Sequence, residues 1–224
     1  PQIIDNNKEY CKKNNDKIKN NKILLNDVNY ISIDVDKQKK WFKNIFKSIV
    51  WHGINTPKKF KKDFKAKVKI NFKENFECIF NAKIRIHGDG KDHIQTTVDG
   101  KPYSSLHVKL VDDNIDSIVK FILFIPLTRN YDNEIFTSTF FKHLGFLAPR
   151  TKYINTYING TKVKYIFQEK IVKEMIEENN YPEGPIIEAD HRFLWPEEKR
   201  NYIDENLVVG RVNGHNPLIF LFNN

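Results

Sequence analysis

The sequence predicts an α+β fold, an antiparallel sheet with packed helices, and three observations carry that expectation. Runs such as Ala66-Lys67-Val68-Lys69-Ile70 and Phe80-Asn81-Ala82-Lys83-Ile84 alternate apolar and polar residues with period two, the mark of strands with one face buried. Two other segments repeat their apolar residues at helical spacing. Asn159-Gly160 sits between two alternating runs, a strong short-range hairpin signal.

In chain order, residues 1–30 are polar, rich in Asn and Lys, and without sustained period; they read as an extended lead-in or arm. From Asp36 the pattern turns helical: Trp41, Phe42, Ile45, Phe46, Ile49 and Val50 form one apolar face, and Gly53 ends the run. Pro57 to Phe64 is a basic connector. Ala66 to Phe72, Cys78 to Ile86 and Leu106 to Leu110 follow as half-buried strands. The continuous apolar run from Ile118 to Ile125 suits a central strand buried on both faces, and Pro126 closes it. A helix is expected from about Asp132 to Leu144, with Ile135, Phe136, Thr139, Phe140 and Leu144 turned inward and Gly145 as its stop. Strands over Lys152–Ile158 and Val163–Gln168, a helix over Glu169–Glu178 and a short strand at Ile186-Ile187 complete the pass. The apolar Leu221-Phe222 beside the last residues leads us to expect that the pattern continues past Asn224. The expected domains are a basic lead-in with an amphipathic helix over 1–75 and a second unit over 76–224.

Charge narrows the function. The chain carries a net +9, but residues 1–75 hold 19 lysines, no arginine and 8 acids, a net of +11. Nucleic-acid readers usually use arginine, whose fork grips phosphates and guanine edges, so a nucleic-acid partner is the less favoured reading of this lysine surface. No run of 18 apolar residues exists, which excludes a membrane-spanning helix. Cys11 and Cys78 have no CxxC spacing and read as reduced thiols of an intracellular, cytoplasmic chain. His87, Asp89, Asp92 and His93 match no strong metal-ligand spacing.

The order of features from Asn81 to Arg150 is the most informative. The turn Ile86-His87-Gly88-Asp89-Gly90 is followed by a strand with Lys109 and then by Glu134. Backbone to cover phosphates, a cation to hold them and an acid to orient the cation is the order a phosphate-binding lobe needs. Four segments then carry a family resemblance: Ala82-Lys83-Ile84-Arg85-Ile86-His87-Gly88; Ser104-Ser105-Leu106-His107-Val108-Lys109-Leu110; Asn133 to Arg150, ending Gly145-Phe146-Leu147-Ala148-Pro149-Arg150; and Tyr157-Ile158-Asn159-Gly160 with Tyr165-Ile166-Phe167-Gln168-Glu169-Lys170. Together, over roughly residues 80–172, they resemble the amino-terminal part of the CotH family of atypical, spore-coat-type kinases. The chain departs from the family where Asn133 or Glu134 stands in place of an arginine near the helix start. Before Asn224 it also shows no counterpart of the family's downstream catalytic and metal-binding aspartates.

The resemblance implies a sheet like the N-terminal lobe of an atypical protein kinase. It implies ATP with Mg²⁺ as cofactors and transfer of the γ-phosphoryl group to a hydroxyl of a protein or glycan acceptor, with the catalytic residues lying downstream. Within it Lys109 is the candidate for the nucleotide's phosphates and Glu134 its partner; each also reads as a surface lysine and as an ordinary first-turn helix acid. Arg85 could face phosphate or pair with a carboxylate. Gly88 and Gly90 could bring backbone N–H groups to phosphate oxygens or simply shape a loop. Gln168 and Glu169 stand where a kinase reads the adenine edge, Glu169 being the family's characteristic glutamate, or a helix N-terminal acid. Glu188, Asp190 and His191 form an acidic group that reads as a site or as a solvated loop. Two rivals remain: a binding or scaffold module without chemistry, and a lysine-rich nucleic-acid-binding domain.

Overall fold

The computed structural model describes residues 25–53, 55–73, 77–111, 114–182, 186–189, 207–212 and 217–221, the side chains being described as far as residue 186. Its chain divides into two compact units, Pro1–Lys170 and Ile171–Asn224. The first contains β1 (Val28–Val35), α1 (Gln38–Ile49), β2 (Phe64–Phe72), β3 (Glu77–Ile86), β4 (Ile94–Thr96), β5 (Pro102–Ser104), β6 (Leu106–Leu110), β7 (Lys120–Phe124), α2 (Asn133–His143), β8 (Thr151–Ile158) and β9 (Thr161–Glu169). The second contains α3 (Lys173–Glu178) and a small antiparallel sheet of β10 (Ile187–Ala189), β11 (Leu207–Val212) and β12 (Pro217–Leu221).

The first unit overturns the expected architecture. Its main sheet is a closed seven-stranded barrel in the order β1-β2-β3-β6-β7-β9-β8, and the described helices are three and short. It is not an α+β lobe of a kinase-like sheet with helices packed on it. Closure depends on β1, which pairs antiparallel with β2 and parallel with β8. The irregular register between Val28 and Tyr30 explains why periodicity hides this strand. Val28 faces in, the next inward residue is Ile31 three positions on, and only then do Ile33 and Val35 alternate. A bulge shifts the side-chain phase by one residue and breaks the period-two signal. The strands on either side of residue 75 are β2 and β3, which pair along their length.

Inside the barrel the alternation is read as expected. Phe64, Ala66, Val68, Ile70 and Phe72 of β2 meet Cys78, Phe80, Ala82, Ile84 and Ile86 of β3, all buried. Leu106, Val108, Phe121, Leu123, Tyr165 and Phe167 complete the filling. Tyr165 is fully buried, and its hydroxyl donates to the Ser104 carbonyl at 2.8 Å, so the polar tip of the ring has a partner. Cys78 is disulfide-bonded, its partner lying outside the described residues, which corrects the expectation of a reduced thiol. A bridge depends on Cα atoms coming within about 7 Å, which spacing along the chain does not reveal.

α1 presents Trp41, Asn44, Ile45 and Ser48 to the core, the i, i+3, i+4, i+7 stripe of a half-buried helix. Trp41 meets Phe64 edge-on at 5.2 Å, and Asn44 donates to the Phe60 carbonyl at 2.8 Å. Phe46, Ile49 and Val50, expected inside, are exposed because they fall outside that stripe.

α2 differs more. Among its residues only Ser138 is buried, while Phe136 is 69% exposed and Phe140 and the following Leu144 face solvent as well. Ile135 packs against Ile122, Phe124 and Ile166 on the outside of β7 and β9, and Thr151 bonds Ser138 at 3.0 Å. That outer cluster is why β7 reads as a continuous apolar run: both of its faces are covered. Phe136 and Phe140 stack on each other at 5.9 Å instead of entering the core.

The Asn159-Gly160 turn joins β8 to β9 with both residues at positive φ, 46° and 82°, as a two-residue hairpin of this hand requires. The Asn159 side chain accepts a hydrogen bond from the Val35 N–H at 2.9 Å. It therefore ties the hairpin to β1.

Candidate anion-binding face

Residues that alternate out of the barrel on β3, β6, β7 and β9 share one surface, and the strand register fixes their rows. Arg85 stands opposite His107, His107 opposite Ile122, and Ile122 opposite Gln168. One row along, Lys83 stands opposite Lys109 and Lys109 opposite Lys120. The Lys170 N–H donates to the Lys120 carbonyl at 3.0 Å, so a further lysine joins the end of that row.

The electrostatics of this surface are one-sided. His107 is buried, and its imidazole is pushed down to about 3, first by burial and then by Arg85, Lys170, Lys120 and Lys109 around it. Desolvation and neighbouring cations act in the same direction on a histidine. Among the described residues the ion pairs lie elsewhere: Lys69 with Glu77 at 3.1 Å, Lys61 with Asp89, Arg129 with Glu134 at 3.6 Å. None of them engages Arg85, Lys109, Lys120 or Lys170. Among the described residues, four cations thus surround a neutral imidazole with no ion pair to a carboxylate.

Sequence reasoning places Glu134 beside Lys109; the structure gives it other partners. Glu134 pairs with Arg129 and accepts a hydrogen bond from the Gln168 side chain. Glu134 and Gln168, two of the candidate residues, are thereby joined. The Arg129 guanidinium lies 3.9 Å from the centre of the Phe124 ring, a cation–π contact, and burial lowers its pKa while Glu134 opposes that shift. His87 packs edge-on to the same ring at 5.2 Å, and burial, then His93 and His107, keep it neutral.

Glu169 is not on this surface. It alternates into the barrel end, is 4% exposed, and is gripped by Arg150, whose Nε and Nη2 donate to its two carboxylate oxygens at 2.8 Å each. Arg150 Nη1 also donates to Asp116 at 2.6 Å. A buried bidentate pair with a second acid is a structural clamp whose cation is countered by the protein's own carboxylates.

The glycine turn is also held by protein. Gly88 has φ +92°, and a Cβ there would lie 2.1 Å from the His93 ring. Its glycine is thus required by the close packing of His93, whose Nδ1 is 3.0 Å from Ser105 Oγ. At Gly90 a Cβ would meet only the movable carboxylate of Asp92. The turn is fastened by the Thr56 N–H to the Asp89 carbonyl at 2.7 Å, by the His87 N–H to Ser105, and by Lys61 to Asp89. Glu188 has only its backbone described, and Asp190 and His191 lie outside the described residues.

Lys120, Lys170 and Arg129 belong to this face and are missing from the sequence-derived set. Lys120, the one charged residue within the apolar segment Ile118–Ile125, was itself a usable signal for an outward position. Lys170 and Arg129 come from segments outside the alternation and had no such signal. Among the described residues no group of three or more His, Cys, Asp or Glu is placed to hold a metal ion. No protein-family model matches the sequence, and no curated protein matches it.

Proposed function

We propose that the outer face of β3, β6 and β7 binds the phosphates of a nucleotide, and that the chain is the nucleotide-holding part of a CotH-like, ATP-dependent phosphotransferase. The observation that carries this reading is the set of four cations, Arg85, Lys109, Lys120 and Lys170, ranged around the buried His107 with no ion pair to an acid among the described residues. An uncompensated cation cluster is costly to the fold and is relieved by a polyanion such as a triphosphate. Arg85 supplies a planar fork and the lysines point charges, which together suit phosphate oxygens. Gln168, positioned by Glu134, adds a polar group beside the row.

Mg²⁺ does not fit the described residues as a protein-held ion, because Glu134 and Glu169 are engaged by Arg129, Gln168 and Arg150. The engagement of both acids also favours a second reading, a phosphate-binding module without chemistry in this part of the chain.

The test is calorimetric titration of ATP into the chain and into Arg85→Ala and Lys109→Ala. The proposal expects saturable binding that weakens at least about tenfold in each variant, the equivalent of roughly 1.4 kcal/mol. A folded chain that does not bind ATP, or binds it equally in both variants, would sink the reading. Label transfer from γ-labelled ATP to an added acceptor separates the enzyme from the module.

A further inference from the structure

The lysine row does not stop at β3. Lys65 on β2 stands opposite Lys83, so Lys65, Lys83, Lys109 and Lys120 form one rung across four adjacent strands, with Lys170 joined to Lys120 at its end. Like charges directly opposite in a sheet are destabilising, and here every opposed pair along the rung is Lys–Lys. The neighbouring lysines are treated differently: Lys69 pairs with Glu77, Lys73 with Asp27, and Lys61 with Asp89. Among the described residues no ion pair reaches Lys65 or Lys83.

We infer that this rung is a docking track for a flexible acidic polypeptide segment, which carries the hydroxyl acceptor to the nucleotide face. The inference rests on the nucleotide reading for the acceptor role; docking on Lys65 and Lys83 does not. Three features favour an acidic peptide over nucleic acid. The rung crosses more than half of a closed seven-stranded barrel. Because the strands are spaced about 4.8 Å apart, its side chains fan around a narrow cylinder. A rigid duplex touches only part of such a curve, whereas a flexible chain follows it. The residues flanking the rung in register are Lys67, Asn81, Arg85, His107 and Ile122, and the one ring among them, the His107 imidazole, is buried and offers no open face on which bases could stack. The rung itself is all lysine, without the fork used to read phosphates and bases bidentately.

The test uses the double variant Lys65→Gln/Lys83→Gln, which leaves Arg85, Lys109, Lys120 and Lys170 in place. Fluorescence anisotropy with a labelled peptide of Glu and Ser is expected to show binding that weakens with salt and falls at least about tenfold in the variant. The variant should keep the parent's ATP affinity and melt no lower than the parent, since a repulsion has been removed. Equal peptide binding by parent and variant would overturn the proposal. So would an oligonucleotide or inorganic polyphosphate of matched charge that binds the rung more tightly than the peptide. ATP binding without peptide docking would condemn only this inference, and the reverse result only the nucleotide reading.

Discussion

Two arginines sit at comparable depth in this barrel and live in opposite electrostatic surroundings. Arg150 is enclosed by the Glu169 carboxylate and by Asp116, with four hydrogen bonds of 2.6–2.9 Å. Arg85 faces His107 and a row of lysines, and among the described residues it makes no ion pair with a carboxylate. The first constellation is closed, its cation fully countered by two carboxylates, and it fastens the start of β8 to the end of β9. The second is open and charged. What separates a structural arginine from a ligand-binding one here is whether the protein supplies the counter-charge itself.

The largest expected effect breaks the closed constellation. Arg150→Ala leaves Glu169 buried and unpaired, and chemical denaturation should show a loss of about 3–5 kcal/mol. A loss below about 1 kcal/mol would mean that the clamp is not structural. The same substitution at Arg85 should cost the fold little and cost ATP affinity instead, an opposite pattern in one pair of measurements.

His107 sharpens the comparison through pH. Its folded pKa is about 3, against an ordinary value near 6.5. Between these values the unfolded chain binds the proton and the folded chain does not. Stability is therefore full above about pH 6.5 and falls as pH drops toward 3, by up to about 1.4 kcal/mol per pH unit from this group. His107→Gln should flatten that acid limb in thermal melts, and an unchanged limb would mean the imidazole is not held neutral by its surroundings.

Lys83→Gln should give the smallest effect and the opposite sign. It removes the repulsion with Lys65 and Lys109, so the fold gains about 0.2–1 kcal/mol. A loss of stability would show that the rung is internally compensated.

Much of the barrel wall was legible in the sequence because alternation survives wherever one face is buried, as in β2 and β3. β1 was hidden by its bulge, and with it the closure that turns a sheet into a barrel. α2 misled in another way. Its apolar residues imply an inward face, but the helix reaches the barrel only through Ile135 and Ser138. Arg85, Lys109 and Gln168 were singled out through the order of features and the family resemblance, on strands that could be read. Their relation to Lys120 and Lys65 depends on strand register, which the alternation of a single strand does not contain. Glu169 was singled out by resemblance as a site acid, or else as an acid at a helix N-terminus. In the fold it is the last inward residue of β9, paired with an arginine distant in the chain.

The central claim is that the cations around His107 await phosphate. Histidine-selective NMR during an ATP titration at neutral pH tests it most directly. The account predicts that the His107 resonances move with the same half-saturation as the calorimetric isotherm. ATP binding that leaves His107 unmoved would contradict it.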